Sequence, residues 1–549
     1  MAIQESVTDV LVIGGGTAGC LAAVSARQQG AQVVVAEKAS VSRSGAMSSG
    51  LDHYPAILGL ADWDTPEAFL NTFDTHPTAR PGLTSPRLME VYAREVKGVF
   101  DYMESIGVPF KDAKTGQYIR SAGPGWAHPY LVHFEGARIK PILAENLSRA
   151  GVKMSNHIPI QGLLSHGNRV VGAAGFNVRT GDFHVIKARA VVITTGAVTR
   201  LYPPASGLPF LTATPPYNTG EGHVMAFEAG AALTNMEFPV GSVVPKGFAV
   251  PCITNFLGHD AHLTNARGER YMFRYHPSGE GAPRGLVAMA TFKEYSAGRG
   301  PCNVDCRHLP EETIARIKLG LLNEKALLLE YLAGQGIDIA RDPIPFVVRE
   351  FDYLASGILI DERCQSTLEG LFAAGDCVNF GLGASGACTL GYVAGREAAR
   401  HARVANGLDI DRQQIADIRE ETFSAMSGGG DLRYSELETE LRRLMYEHVG
   451  WLRDASGMSQ ALRQLDDLKD NARKLRARNF HELMRVNEAA HLVDVAQMIT
   501  IAALERKESR AVHQRADFPQ KDDLSWRGLV VLTKGPKGKI SAAIRPVAS

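Results

Sequence analysis

The chain has 549 residues, of which 45% are hydrophobic and 21% charged, as is typical of soluble globular proteins that divide into two to four domains at this length. Its 59 Lys and Arg residues balance its 59 Asp and Glu residues, which gives no reason to expect a nucleic-acid partner or an anionic membrane surface. We find no signal peptide and no membrane-spanning run, and seven scattered cysteines favour reduced thiols over a metal centre, so we expect a cytoplasmic protein.

The first predicted element is a short buried strand, Asp9 to Ile13, that runs directly into glycines at G-x-G-x-x-G spacing. In a dinucleotide-binding loop the first glycine allows a sharp turn, the second lets the backbone approach a pyrophosphate, and the third lets the next helix pack on the strand. That helix, predicted from Cys20 to Gln29, would point its N–H groups at the pyrophosphate. The candidate contacts in this loop are Gly14, Gly16, Thr17, Ala18 and Gly19.

A second apolar run ends at Glu37, about twenty residues beyond the glycines, where a carboxylate accepts hydrogen bonds from ribose hydroxyls. An acid at this position disfavours a 2′-phosphate and hence NADP, while FAD and NAD both remain open. The segment from Lys38 to Gly50 is dominated by small and hydroxylic residues, which can run close to a planar ring system. We therefore predict flavin contacts here, at Lys38, Ser44 and Gly45.

Two later strands repeat the pattern of an apolar run that ends in a glycine. The strand from Ala188 ends in Thr195-Gly196, and the strand from Leu371 ends in Gly375-Asp376. Because ligands of doubly wound sheets bind at the carboxyl ends of the strands, Thr195, Gly196 and Asp376 are candidate cofactor contacts, with Asp376 near the ribityl chain or the pyrophosphate. A glycine-rich run, Gly381 to Gly386, follows and adds Ser385.

The segment from Gly123 to Gly136 is irregular and dense in histidines and aromatic residues, so it is a candidate site wall. We name His133 as a catalytic candidate from this segment, with His128 as a weaker alternative.

These motifs together resemble the fumarate reductase/succinate dehydrogenase flavoprotein family, which includes L-aspartate oxidase and the α subunit of adenylylsulfate reductase. Besides the glycine loop and the strand-Gly-Asp unit, the resemblance rests on the stretches 218–222, 235–238, 268–272 and 508–519. It implies FAD as cofactor and an α/β fold: a Rossmann-like FAD-binding domain with an inserted α+β capping domain and a C-terminal helical domain. The implied bounds are 1–235 and 346–410 for the FAD-binding domain, 236–345 for the capping domain, 411–510 for the helical domain and 511–549 for a tail.

The departures from the family pattern concern the flavin tether and the substrate. Succinate dehydrogenases attach FAD through a histidine in an Arg-Ser-His-Thr-like run, which here reads Arg43-Ser44-Gly45-Ala46, so we predict dissociable FAD. Asp352 stands where the family's substrate motif has a histidine, and the other dicarboxylate motifs are replaced, which makes succinate and fumarate poor candidates. Arg284 occupies the place of the arginine that serves as active-site acid in fumarate reductases. We therefore add Arg284 and Asp352 to the catalytic candidates.

Three functions remain open on the sequence. The first is an FAD-dependent oxidoreductase that acts on a small anionic metabolite at flavin N5. The second, suggested by a likeness to the adenylylsulfate reductase branch, is a flavoprotein subunit that exchanges electrons with a ferredoxin-like iron–sulfur partner. The third is a non-catalytic flavin-binding scaffold, since fold alone does not establish an activity.

Overall fold

The computed structural model describes residues 2–72, 83–123, 125–204, 206–212, 214–248, 252–348, 351–405, 407–427, 430 and 432–547, without the side chains of residues 324, 352, 353 and 537. Its helices are α1 (Thr17–Gln28), α2 (Pro66–Leu70), α3 (Pro86–Ser105), α4 (Ile139–Arg149), α5 (Glu221–Glu228), α6 (Ile253–Leu257), α7 (Arg284–Ser296), α8 (Glu311–Gly334), α9 (Gly383–Val404), α10 (Arg412–Phe423), α11 (Tyr434–Val449), α12 (Ala455–Ala472), α13 (Phe480–Glu505) and α14 (Asp523–Trp526).

Its strands are β1 (Ile3–Ile13), β2 (Val33–Glu37), β3 (His53–Pro55), β4 (Ile119–Ser121), β5 (Leu131–His133), β6 (Lys153–Asn156), β7 (Ile160–His166), β8 (Arg169–Phe176), β9 (Phe183–Ile193), β10 (Leu233–Thr234), β11 (Val240–Gly241), β12 (Val244–Pro245), β13 (His262–Thr264), β14 (Cys302–Asp305), β15 (Ile344–Val347), β16 (Phe351–Tyr353), β17 (Gly357–Ile358), β18 (Leu371–Ala373), β19 (Leu452–Arg453), β20 (Gln514–Arg515), β21 (Gly528–Lys534) and β22 (Ile540–Pro546).

The central sheet has the strand order β6-β2-β1-β9-β8-β7, and β18 also pairs with β9. β6, β2, β1, β9 and β18 run parallel to their neighbours in this group. The segments Val10 to Ile13 of β1 and Val33 to Ala36 of β2 are unbroken apolar runs because both faces of the sheet are covered there, and Val10, Leu11 and Val12 are fully buried. The carboxyl ends of β1, β2, β9 and β18 therefore meet along one edge of the sheet, as the sequence predicts.

Helices α1 and α9 approach each other backbone to backbone. Gly391 and Gly395, one turn apart in α9, face Ala18 and Ala22, one turn apart in α1. A Cβ atom on Gly395 would lie 1.9 Å from the carbonyl oxygen of Ala22, and one on Gly391 would lie 2.4 Å from that of Ala18. Because glycine has no Cβ atom, the two helices can approach to backbone contact at these positions.

The inserted segment predicted as a capping domain, residues 236–345, is called the capping segment below. It contributes most of an antiparallel sheet of order β12-β15-β14-β13 together with helices α6, α7 and α8. Helix α8 is interrupted at Lys325, whose backbone angles of φ −134° and ψ 44° are not helical.

The C-terminal part is helical up to residue 505 and ends in the hairpin β21–β22, which pairs with β10. Helix α13 is buried along most of its length, because it packs against α11, α12 and α5. No helix in the described ranges combines the length and the apolar character that a membrane crossing needs. All seven cysteines are buried and none forms a disulfide.

Candidate functional site

A cavity of about 680 Å³ opens at the edge where the parallel strands end. Most of the cofactor candidates predicted from the sequence line it: Gly14, Gly16, Thr17, Ala18, Glu37, Lys38, Ser44, Gly45, Thr195, Gly196 and Asp376. The fold thus brings together side chains from four separate stretches of the chain.

The glycine loop adopts a conformation that side chains would prevent. Gly14 has a φ of +98°, and a Cβ atom there would lie 2.6 Å from the carbonyl oxygen of Thr194. Gly45 has a φ of +86°, and its Cβ would lie 2.8 Å from the Cα of Gly16. Gly19 does not line the cavity: a Cβ there would lie 2.0 Å from the Gly14 carbonyl oxygen, which fits its predicted role in packing the helix on the strand.

The Glu37 carboxylate holds the loop and borders the cavity at the same time. Its Oε2 accepts a hydrogen bond of 2.6 Å from the Gly15 N–H, and its Oε1 accepts one of 2.7 Å from the Ala39 N–H. The side chain is buried at the end of β2. A carboxylate fixed in this way has oxygen lone pairs left for ribose hydroxyls, which is the role predicted for it.

Two hydroxyl groups in the cavity wall fit a dinucleotide that carries a flavin. The Oγ of Ser44 and the Oγ1 of Thr195 are buried and have no hydrogen-bond partner within the protein. Buried polar groups are rarely left unpaired, so these hydroxyls are suited to bond a ligand with polar ring or chain atoms. No histidine is among the described residues that line the cavity.

Asp376 lies between β18 and α9, in the wall of the cavity. Burial raises the pKa of its carboxyl group to about 6. Near neutral pH the carboxylate can therefore accept a hydrogen bond. A small further rise of its pKa would let the protonated acid donate one. Both forms suit the hydroxyl groups of a ribityl chain.

Three further sequence candidates do not line the cavity, and a fourth has no described side chain. The Ser385 hydroxyl is buried at the start of α9, 2.9 Å from the Tyr92 hydroxyl, and does not line the cavity. Arg284 begins α7 in the capping segment and also lies outside the cavity wall. Asp352 lies on β16, and its side chain is outside the described residues. His133 ends β5 and belongs to a cluster that the sequence analysis did not foresee.

This cluster joins the sheet β3-β5-β4 to the capping segment, and we call it the histidine cluster. His53 and His133 are cross-strand partners with ring centroids 6.0 Å apart, and His259, just after α6, lies 5.9 Å from His133. The buried Asp52 carboxylate accepts hydrogen bonds from His53 Nδ1 at 2.6 Å and from Asn255 Nδ2 at 2.5 Å. Asp52 follows the cavity-lining Ser49 by three residues in sequence, although none of the members of the cluster lines the cavity.

Acid should weaken the fold through His133. Its burial, and next the neighbouring charge of His53, lower its pKa from 6.5 to about 4. The neutral ring therefore contributes stability that is present above pH 6.5 and is lost as the pH falls towards 4. The free energy of unfolding of the wild type should fall between pH 6.5 and 4. In His133→Gln we expect the slope of this fall to be smaller by up to about 1.4 kcal/mol per pH unit, measured by urea denaturation.

The exposed His481 offers a matched control. The substitution His481→Gln should leave the acid limb of the stability curve as in the wild type. An acid limb in His133→Gln that is as steep as in the wild type would contradict the assignment.

Sequence reasoning also missed parts of the cavity wall, among them residues 158–160, 210–212, 214–218 and 325–327. Arg43 lies within the segment predicted to contact the flavin, Lys38 to Gly50, but was not named there as a contact. Lys325 has no local signal, because it reaches the cavity only through the interruption of α8.

Comparisons with known proteins agree with the prediction that the chain binds FAD. Residues 9–391 match the FAD binding domain family, and residues 438–549 match the fumarate reductase flavoprotein C-terminal family. The chain is 30% identical to an uncharacterized FAD-dependent oxidoreductase of Methanocaldococcus jannaschii and 28% identical to a fumarate reductase (CoM/CoB) chain of Methanothermobacter marburgensis, in each case over 96% of this chain and 97% of the other.

Among solved structures, the adenylylsulfate reductase of Archaeoglobus fulgidus aligns with a TM-score of 0.88 and 26% identity, over all of this chain and 97% of that one. The predicted fold class and the predicted cofactor are thereby confirmed. The chain belongs to the fumarate reductase/succinate dehydrogenase flavoprotein family and is an FAD-dependent oxidoreductase.

Proposed function

We propose that this oxidoreductase binds its FAD without a covalent bond and uses it on a small anionic metabolite. The observation that carries the proposal is the charge along the cavity wall. Three described carboxyl groups line it: Glu221 pairs with Lys38, Glu37 accepts two backbone N–H groups, and burial raises the pKa of Asp376 to about 6. Two further cations border the cavity: Arg43 of the predicted flavin segment, residues 38–50, and Lys325 of α8. The wall of the cavity therefore favours an anion.

The roles of the residues follow from their positions. When bound, FAD supplies the hydride chemistry. Glu37 would hold the ribose of FAD, and the N-terminus of α1 would bind its pyrophosphate. Phe248 of the capping segment is buried and lines the cavity, where it would limit the access of water to the flavin. Arg284 and the histidine cluster lie in or against the capping segment, and we propose that they bind or protonate the substrate there.

Anaerobic mixing tests the proposed function directly. The oxidised holoenzyme is mixed with a panel of small organic acids, including amino acids and hydroxy acids, and the flavin absorbance near the visible maximum is followed. We expect at least one anionic metabolite to bleach the flavin, and its neutral amide to fail. A flavin that dithionite reduces but that no member of the panel reduces or reoxidises would favour the non-catalytic scaffold.

The dissociable cofactor gives a separate prediction. Gly45 and its neighbours offer no imidazole to the flavin, and no histidine is among the described lining residues. Acid precipitation of the holoenzyme should therefore release all of the yellow colour into the supernatant, read by absorbance of both fractions. A pellet that stays yellow after washing in denaturant would show a covalent bond.

A second candidate function is that of a flavoprotein subunit with an iron–sulfur electron partner. It is favoured by the alignment with adenylylsulfate reductase over the whole chain. It is testable without the partner, because adenylylsulfate should then reoxidise the dithionite-reduced enzyme. Failure of adenylylsulfate alongside success of an organic acid would leave the first function standing.

A further inference from the structure

Lys38 connects the FAD cavity to the C-terminal helices. Its ammonium group lies in the cavity wall directly after Glu37 and donates to the Tyr217 carbonyl and to the carboxylate of Glu221. It also donates to Glu488 Oε1 at 2.8 Å, and Glu488 is a buried residue of α13. The segment that matches the FAD binding domain family ends at residue 391, so this contact comes from outside it.

Glu488 is the centre of a buried ion network. Its second oxygen, Oε2, accepts hydrogen bonds from Arg485 at 2.6 Å and from Arg200 at 3.2 Å. Arg200 also donates a hydrogen bond to Glu438 Oε1 at 3.1 Å, and Glu438 Oε2 accepts one from Arg442 at 2.5 Å. The members of this network, which we call the shared network, are Lys38, Arg200, Glu221, Glu438, Arg442, Arg485 and Glu488.

Arg200 and Arg485 also contact a segment of the cavity wall. Residues 206–212 and 214–217, which we call the strap, line the cavity with Phe210 and Tyr217 among others. The Arg485 guanidinium lies 4.2 Å from the Tyr217 ring centroid, and that of Arg200 lies 5.0 Å from the Phe210 ring centroid. Both rings are about four-tenths exposed, at 44% for Phe210 and 41% for Tyr217. The strap is thus held on buried cations rather than in an apolar core.

The charges of the shared network also suit a polyanionic ligand. It contains four cations and three carboxylates, and Arg200 has Nε and Nη1 without a hydrogen-bond partner. Removal of one partner from such a buried set leaves the others uncompensated, which is costly. The network therefore responds strongly to the loss of any member, and two of its members, Lys38 and Glu221, line the cavity.

From this geometry we infer that Arg485 and Glu488 of α13 are positioning residues of the FAD site, which set the rate of FAD release by holding Lys38 and the strap against the cofactor. The C-terminal helices thereby complete a site that the FAD binding domain does not form alone. The inference concerns cofactor retention, so it stands or falls independently of the substrate proposed above.

The rate of FAD release tests the inference on the holoenzyme. Arg485→Met keeps the length of the side chain but removes its charge, and Tyr217→Leu removes the ring on which it lies. For each variant, flavin fluorescence is followed after high dilution. We expect release to be at least about tenfold faster than in the wild type. The double variant should be less than additive, because both changes remove the same contact.

Two controls separate positioning from a general loss of structure. Arg478→Met, just before α13, removes an exposed arginine that pairs with Glu482 and should release FAD at the wild-type rate. The melting temperature of each apoprotein shows whether the helical part remains folded, and Arg485→Lys should restore slow release in part. Release within twofold of the wild type in both single variants, or strict additivity in the double variant, would overturn the inference.

Discussion

Gly395→Ala is expected to lower the free energy of unfolding by about 3 kcal/mol or more. The added Cβ atom would lie 1.9 Å from the carbonyl oxygen and 2.6 Å from the carbonyl carbon of Ala22. Both are backbone atoms of α1, so no side chain can rotate away, and the two helices must separate to admit the methyl group. Urea denaturation followed by circular dichroism measures the change.

The same substitution at Gly98 provides the matched control. Gly98 lies in the interior of α3, and a Cβ atom there would meet nothing within 4 Å. Gly98→Ala should therefore stabilise the protein by about 0.5–1 kcal/mol, because alanine loses less backbone entropy on folding. Equal effects at the two positions would show that the close approach of α1 and α9 does not determine stability.

Glu37→Ala is expected to weaken FAD binding by about 30-fold or more, with the protein still folded. The substitution removes the acceptor predicted for the ribose and leaves the N–H groups of Gly15 and Ala39 without their partner. Hydrogen bonds to a charged group contribute about 1.5–3 kcal/mol each, and every 1.4 kcal/mol changes the dissociation constant tenfold. Titration of the apoprotein with FAD, followed by quenching of flavin fluorescence, measures the constant.

Two further variants define what the carboxylate contributes. Glu37→Gln retains one oxygen acceptor and should show a smaller loss of affinity than Glu37→Ala. Glu145→Ala removes an exposed carboxylate of α4 that pairs with Arg149 and should bind FAD as the wild type does. An unchanged dissociation constant in Glu37→Ala would mean that the ribose lies elsewhere.

The part of the cavity wall that the glycine loop and Glu37 form could be predicted because its signals are local in sequence. Gly14, Gly16 and Glu37 follow directly from strands whose apolar runs are unbroken, and strand ends meet wherever parallel strands pair. The spacing of the glycines therefore specifies both the turn and the place of the ligand. The same reasoning placed Thr195 and Asp376, which also line the cavity.

The surroundings of the other candidate site residues could not be predicted, because they depend on contacts between distant parts of the chain. Ser385 lies in a glycine-rich run next to the cavity, but α3 brings Tyr92 against it, and the hydroxyl is bonded there. His53 has no neighbour in sequence that marks it, because its partner His133 is eighty residues away and joins it only through strand pairing. Whether His133, Arg284 and Asp352 take part in catalysis stays a prediction.

The contact between α1 and α9 has a mechanical consequence. Thr17 of α1 and Ala387 of α9 both border the cavity, and no side chain separates the two helices where Gly391 and Gly395 meet Ala18 and Ala22. Helices interlocked in this way move as one rigid body, because any sliding would drive backbone into backbone. We therefore expect the part of the cavity wall that α1 and α9 form to stay fixed, and the opening that admits a substrate to come from another part of the wall, such as α8, whose helical geometry is interrupted at Lys325.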